Sequence, residues 1–206
     1  MNVLLLNGSP KANGNTALAL QEMIKVFDEN GIETTLVQVG SQAIRGCIAC
    51  NSCKKNYRCI FDDAVNETAL LLDKADGLVI ATPVYYGSAN GTLISFLDRL
   101  FYSSGAVDKR MKVGASIAIA RRGGTTATFD ELNKYFTISA MPIASSTYWN
   151  NVHGSKPGEA AEDLEGLQVM RNLATNMIFL MKSIALGKER YGLPDQEKAY
   201  HTNFIH

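Results

Sequence analysis

The chain predicts a doubly wound α/β domain: a three-layer sandwich built on a five-stranded parallel sheet of order 2-1-3-4-5. Three observations predict it. Short apolar runs without helical spacing recur along the chain, segments of helical spacing separate them, and polar or glycine-bearing loops follow the runs' carboxyl ends.

The runs are Asn2 to Leu6, Thr34 to Val39, Gly77 to Ala81 and Val113 to Ala120, all expected as buried strands. A shorter fifth strand is expected around Ile143 to Trp149. Helical spacing appears at Leu18, Met23, Ile24 and Phe27, then from Ala69 to Leu72, then at Leu93, Ile94, Leu97, Leu100 and Phe101. A long last helix from about Gly158 to Leu186 shows a stripe from Leu164 through Leu167, Met170, Ala174, Met177 and Met181 to Ile184.

At 206 residues, with 46% hydrophobic and 19% charged residues, one core and one domain are expected. That domain takes residues 1–187, with a cysteine-rich insertion at 45–63 and a tail at 188–206 carrying Tyr191, Tyr200, Phe204 and Ile205. The tail is an arm for a second subunit, a strap on its own domain, or disordered. Twenty basic and 20 acidic residues cancel, which argues against nucleic acid or an anionic membrane as partner. No export signal or membrane span is expected, and four cysteines confined to Cys47–Cys59 fit a reducing cytoplasm better than a disulfide scaffold.

The loop Asn7-Gly8-Ser9-Pro10-Lys11-Ala12-Asn13-Gly14-Asn15-Thr16 leaves the first strand and opens the first helix. Amides at a helix N-terminus attract anions, and hydroxyls of Ser9 and Thr16 with the charge of Lys11 suit a phosphate. Gly14-Asn15-Thr16 is not the Gly-Lys-Ser/Thr of an ATP-binding loop, and no Gly-x-Gly-x-x-Gly occurs, so a monophosphate is favoured over ATP or a pyrophosphate. The competing reading is a polar connection whose Ser, Asn and Thr only cap the helix.

Two further loops shift the balance. Thr82-Pro83-Val84-Tyr85-Tyr86-Gly87-Ser88-Ala89-Asn90-Gly91 offers an aromatic pair and backbone amides that suit a flat ring with polar edges. Ala120-Arg121-Arg122-Gly123-Gly124-Thr125-Thr126 offers glycines that let the backbone approach a ligand. Arg121 and Arg122 read equally as a solvated pair, and Tyr85 and Tyr86 as rim residues of a subunit contact.

Gly8-Ser9-Pro10 with Gly14-Asn15-Thr16, then Pro83-Val84-Tyr85-Tyr86-Gly87 running on to Phe96-Leu97-Asp98-Arg99, resembles the flavodoxin-like NADPH-dependent FMN reductase family. Within it, the chain is most similar to the iron-sulfur flavoproteins. The resemblance covers residues 1–127 by motif and the remainder by pattern. It implies FMN, with Ser9, Lys11, Asn13, Asn15 and Thr16 on the phosphate and Pro83, Val84, Tyr85, Tyr86, Gly87 and Ser88 along the ring. Donors at Arg121, Gly123 and Gly124 would face the flavin edge where negative charge gathers on reduction. It also implies a homodimer or homotetramer with flavin near the subunit contact. Trp149, the single tryptophan, would then approach a flavin, against the default of a buried core residue.

Cys47, Cys50, Cys53 and Cys59 are spaced C-x2-C-x2-C-x5-C, which resembles a 4Fe-4S site and matches the compact spacing of iron-sulfur flavoproteins. It departs from the ferredoxin run, since Ile60 rather than proline follows the last cysteine. Lys54, Lys55 and Arg58 would offset a cluster's negative charge. Zinc on the same thiolates, local disulfides, and an empty loop are the alternatives.

The expected function is an FMN-dependent oxidoreductase that uses NADH or NADPH to reduce a quinone, a free flavin or another small acceptor. The alternative is an electron carrier linking a ferredoxin-type donor, the cluster and FMN. A third reading is a non-catalytic domain for another phosphorylated ligand. No acid-base residue is demanded, and His153, His201 and His206 are scattered and expected to face solvent.

Overall fold

In the computed structural model, which describes residues 1–198, 200 and 202, six strands form: β1 (Asn2–Asn7), β2 (Glu33–Gln38), β3 (Gly77–Tyr85), β4 (Ser88–Ala89), β5 (Val113–Ala120) and β6 (Asn151–His153). Five are parallel in the order β2-β1-β3-β5-β6, and the two-residue β4 folds back antiparallel on the end of β3. Counted along the parallel strands alone, this is the expected order. The fold is the flavodoxin-like α/β sandwich.

The helices are α1 (Asn15–Glu29), α2 (Cys53–Asn56), α3 (Ala64–Lys74), α4 (Gly91–Ser103), α5 (Thr125–Ile138) and α6 (Leu164–Tyr191), with a 3-10 turn at Glu159–Glu162. Side chains alternate across the pleat, so successive residues of β1 serve opposite cores. Val3 and Leu5 join Met23 and Phe27 of α1 and Met170 and Met177 of α6 on one face. Leu4 and Leu6 join Leu72 of α3, Leu97 of α4 and Phe136 of α5 on the other.

Three expectations need correction. The strand expected at Ile143 to Trp149 lies instead at β6, and Ile143 makes only an isolated bridge to Gly114. The segment leaves the sheet because its polar residues bind α6: Ser146 Oγ donates to the Val169 carbonyl at 2.7 Å, and Asn176 Nδ2 to the Ser145 carbonyl at 2.8 Å. β2 is a half-exposed edge strand rather than a buried one, as its Glu-Thr-Thr-Leu-Val-Gln composition allows. Trp149 is 53% exposed and stands edge-on against Tyr148 at 5.0 Å, outside the core.

The last helix runs through Tyr191, so residues 188–191 belong to it and not to the tail. Of the expected tail and surface residues, Phe204, Ile205, His201 and His206 lie outside the described residues. Among the described residues no helix is long and apolar enough to cross a membrane.

Candidate cofactor site

β1 ends at Asn7, and residues 8–14 turn the chain into α1. Neighbouring strands hold this turn from both sides. The Asn7 carbonyl accepts from the amides of Val39 at 2.9 Å and Gly40 at 3.1 Å, and the Gly8 amide donates to Ala81 at 2.8 Å. Gly40 is required here, because a Cβ would stand 2.2 Å from the Gly8 carbonyl oxygen and 2.3 Å from the Ser9 carbonyl carbon.

The side chain of Asn7 is fully buried, and its Oδ1 accepts the Ser9 amide at 3.0 Å while its Nδ2 has no partner. Ser9 Oγ accepts the Lys11 amide at 3.1 Å, which leaves its hydroxyl hydrogen free to donate. Thr16, 2% exposed, lines the same cleft in the first turn of α1, and no group among the described residues hydrogen-bonds its hydroxyl. Lys11 also lines the cleft, whereas Asn13 is exposed and does not.

Asn15 lines the cleft but is already engaged. Its Nδ2 donates to the Lys156 carbonyl at 2.9 Å and its Oδ1 accepts the Ala160 amide at 3.3 Å, which ties in the loop after β6. Asn15 therefore straps the loop after β6 to α1, with one Nδ2 hydrogen not engaged by any group among the described residues. Gly154, Ser155 and Pro157 of that loop form a wall of the cleft, a contribution not anticipated from sequence.

Pro83, Val84 and Tyr85 line the cleft as expected. Tyr86 (φ 52°) and Gly87 (φ 77°) instead form the two-residue turn between β3 and β4, with Tyr86 wholly exposed. Ser88 faces away: its hydroxyl donates to Glu131 at 2.8 Å, beside the Ala89 amide at 2.9 Å. From the loop after β5 Arg121 reaches the cleft, while Gly123 and Gly124 do not line it. Gly124 (φ +91°) acts indirectly, since a Cβ there would meet Val84 Cγ1 at 2.8 Å and Gly87 Cα at 2.9 Å.

The cysteine insertion forms a second, separate pocket, walled by Cys47, Cys50, Cys53 and Cys59 together with Phe61, Arg99 and Tyr102. Left-handed residues Ala49 (φ 53°) and Asn51 (φ 56°) wind the chain tightly around Cys50. Asn51 Oδ1 accepts the Tyr102 hydroxyl at 3.0 Å. Cys53 opens the single turn of α2. Cys59 is held by Asn66, whose Oδ1 accepts its amide at 2.9 Å and whose Nδ2 donates to its carbonyl at 3.2 Å. All four cysteines are free thiols, and among the described residues no three His, Cys, Asp or Glu side chains converge as ligands of a single metal ion.

Arg58 pairs with Asp62 on the surface, so its charge is not directed at the thiols. The cation that reaches a sulfur is Arg99 of α4, 1% exposed. Its Nε and Nη2 each lie 3.3 Å from Cys59 Sγ, and the rest of its fork grips Asp63 at 2.7 and 2.9 Å. Burial opposes the guanidinium's charge, but hydrogen bonds to Asp63 and Cys59 outweigh it and raise its pKa above the ordinary value. Sequence offered no signal for this role beyond Arg99's place in the Phe-Leu-Asp-Arg run.

α4 joins the two sites. At its start Leu93 packs on the first loop, so close that a Cβ on Gly8 would stand 2.7 Å from Leu93 Cδ2. Further along, Arg99 and Tyr102 wall the cysteine pocket. At 1.5 Å rise per residue they lie about 9 and 14 Å along the axis from Leu93.

Comparison with known proteins agrees with this geometry. The sequence model of the NADPH-dependent FMN reductase family matches residues 1–154, a span that contains the loops after β1, β3 and β5 and the cysteine insertion. An iron-sulfur flavoprotein of Methanocaldococcus jannaschii is 31% identical over 191 residues, 89% of this chain and 99% of that one. An iron-sulfur flavoprotein of Methanosarcina thermophila is 25% identical, covering 92% of this chain and 100% of that one. Among solved structures, RosB with a bound formyl-riboflavin phosphate intermediate superposes with TM-score 0.71 at 16% identity, covering 100% of this chain and 92% of that one. An archaeal flavodoxin gives TM-score 0.59 at 12% identity, covering 88% and 99%, and carries the fold alone. On the family match, the loop geometry and the relatives together, the chain belongs to the NADPH-dependent FMN reductase family, with iron-sulfur flavoproteins as its relatives.

Proposed function

We propose that the protein is an FMN-dependent oxidoreductase. The observation that carries this is the cleft at the carboxyl ends of β1, β3 and β5, where Ser9 and Thr16 present hydroxyls without acceptors beside the N-terminus of α1. The fit is chemical: donors and Lys11 stand at one end, and Pro83, Val84 and Tyr85 present a flat, partly apolar wall at the other. FMN, when bound, supplies hydride acceptance and single-electron transfer. Ser9, Thr16 and the α1 amides would hold its phosphate, and Lys11 would balance the charge. Arg121 would supply positive charge at the ring's edge, and Tyr85, 46% exposed, would form the rim. Asn7 and Gly40 would fix the first loop, and Asn15 would brace the loop after β6 at the cleft's wall.

We further propose that Cys47, Cys50, Cys53 and Cys59 hold a 4Fe-4S cluster. The four cysteines line one pocket, and their C-x2-C-x2-C-x5-C spacing supports a cluster held by thiolates. A cluster, when held, supplies one-electron transfer. This favours the second reading, an electron carrier in which a ferredoxin-type partner replaces the pyridine nucleotide as donor. The specific observation behind it is α4, which packs against the FMN loop at one end and walls the cysteine pocket at the other. The exposure of Tyr85, Tyr86, Tyr148 and Trp149 supports a homodimer or homotetramer, and free thiols suit a reducing cytoplasm.

Anaerobic mixing distinguishes the donors. Under the oxidoreductase reading, NADH or NADPH bleaches the flavin absorbance within the turnover time. Bleaching by reduced ferredoxin or dithionite alone supports the carrier and removes NAD(P)H from the account.

A further inference from the structure

We propose that Arg99 is a positioning residue that fixes the Cys59 corner of the metal site and raises its reduction potential, with Asp63 setting how far. The inference rests on the cluster reading above. Among the described residues, Arg99 is the one buried cation of the cysteine pocket. Arg99 donates Nε–H and Nη2–H to a single sulfur, both at 3.3 Å, and no comparable contact from Lys54, Lys55 or Arg58 to a sulfur is present among the described residues. Nη1 donates to Asp63 at 2.7 Å and to the Arg45 carbonyl at 3.3 Å, and Nη2 donates to the other Asp63 oxygen at 2.9 Å. Phe61 closes one side, its ring 5.0 Å from the guanidinium carbon. Every edge of the fork is occupied, so the orientation toward Cys59 is fixed by the protein before any metal arrives.

Hydrogen bonds to ligand sulfur, together with nearby positive charge, stabilise the more negative, reduced form of a thiolate-held cluster. The two N–H groups face Cys59 directly, whereas the Asp63 carboxylate lies on the other edge of the guanidinium and partly cancels its charge. The two residues therefore act in opposite directions on the potential while acting in the same direction on the fold. Asp63 also caps α3, accepting the Val65 amide at 3.1 Å, a role that Asn can keep.

The test is a spectroelectrochemical titration of anaerobically prepared holoprotein, with iron and sulfide measured on the same samples. The expected results are a lower cluster potential in Arg99→Gln, a smaller lowering in Arg99→Lys, which keeps the charge and loses the fork, and a higher potential in Asp63→Asn. Should Arg99→Gln not fold, Asp63→Asn and Arg99→Lys still give the two signs. Loaded variants with unchanged potentials, or both substitutions shifting the potential the same way, overturn the inference and leave the cluster reading intact. Wild-type protein without iron and sulfide overturns both.

Discussion

At the scale of single residues, the cleft separates groups that shape it from groups able to meet a ligand. Thr16 belongs to the second class, because the residue lines the cleft and no group among the described residues hydrogen-bonds its hydroxyl. Thr16→Ala is expected to weaken FMN binding by about 1 kcal/mol or more, the loss of a hydrogen bond to a charged group, as read by flavin fluorescence titration. Asn15→Ala acts differently: it releases the loop at Lys156 and Ala160 and shows up in stability as well as in affinity. The Arg99–Asp63 pair is a third kind. Asp63→Asn strands a buried guanidinium and is expected to destabilise the apoprotein by roughly 3 kcal/mol, the lower end for a broken buried pair because Asp63 is 27% exposed. Denaturant unfolding of the apoprotein reads this, and an unchanged midpoint would contradict it. Ser9 and Thr16 were legible from sequence because their spacing from the first strand is local. Asn7, Gly40 and Arg99 were not, because their roles depend on partners in other elements.

At the scale of elements, turns set the approach of one loop to the next. Gly124→Ala forces a side chain into the left-handed region against Val84 and Gly87, at a cost of roughly 1–3 kcal/mol. The expected outcome is a lower unfolding midpoint together with weaker FMN binding, since Val84 lines the cleft. α1 and α6 are held together by burial and by Glu22, which pairs with Lys25 on its own helix and with Arg171 on α6. The Lys25 hydrogen bond first, and then Arg171, hold the Glu22 carboxyl below its ordinary pKa of 4.5 against the opposing effect of burial. A depressed carboxylate stabilises the fold above its unfolded pKa and loses that stabilisation as pH falls through the folded value. Glu22→Gln is therefore expected to lower stability at neutral pH, by no more than about 1 kcal/mol because Arg171 is 46% exposed, and to show no deficit once acid has protonated the wild-type carboxyl. Paired denaturation curves across that range check the sign. Helix α5 was not legible as an element: Leu132 and Phe136 are its only large buried residues, too few to mark a stripe. Gly114 beneath it makes room for the Phe136 ring, which a Cβ there would meet at 2.6 Å.

At the scale of the whole molecule, topology does what no single motif can. The parallel strands end on one side of the sheet, and the order reverses between β1 and β3, where a crevice must open. Three loops read separately from sequence meet in that crevice. The fourth, at Gly154 to Pro157, carries the same glycine-after-strand signal, but apolar content points to Ile143–Trp149 rather than to β6 as the strand before it. Pairing with Ala118 to Ala120, not apolar content, selects β6. Cysteine spacing foretold a shared pocket, but only the tertiary fold reveals that α4 walls it and also packs on the FMN loop. On the function proposed above, this crevice grips FMN beside a thiolate-lined metal pocket. The most direct measurement is the absorbance spectrum of protein purified without air. The expected spectrum has flavin bands riding on the broad visible absorbance of an iron-sulfur centre, the latter lost in Cys50→Ser with the flavin bands retained. Protein that stays colourless after incubation with FMN would contradict it.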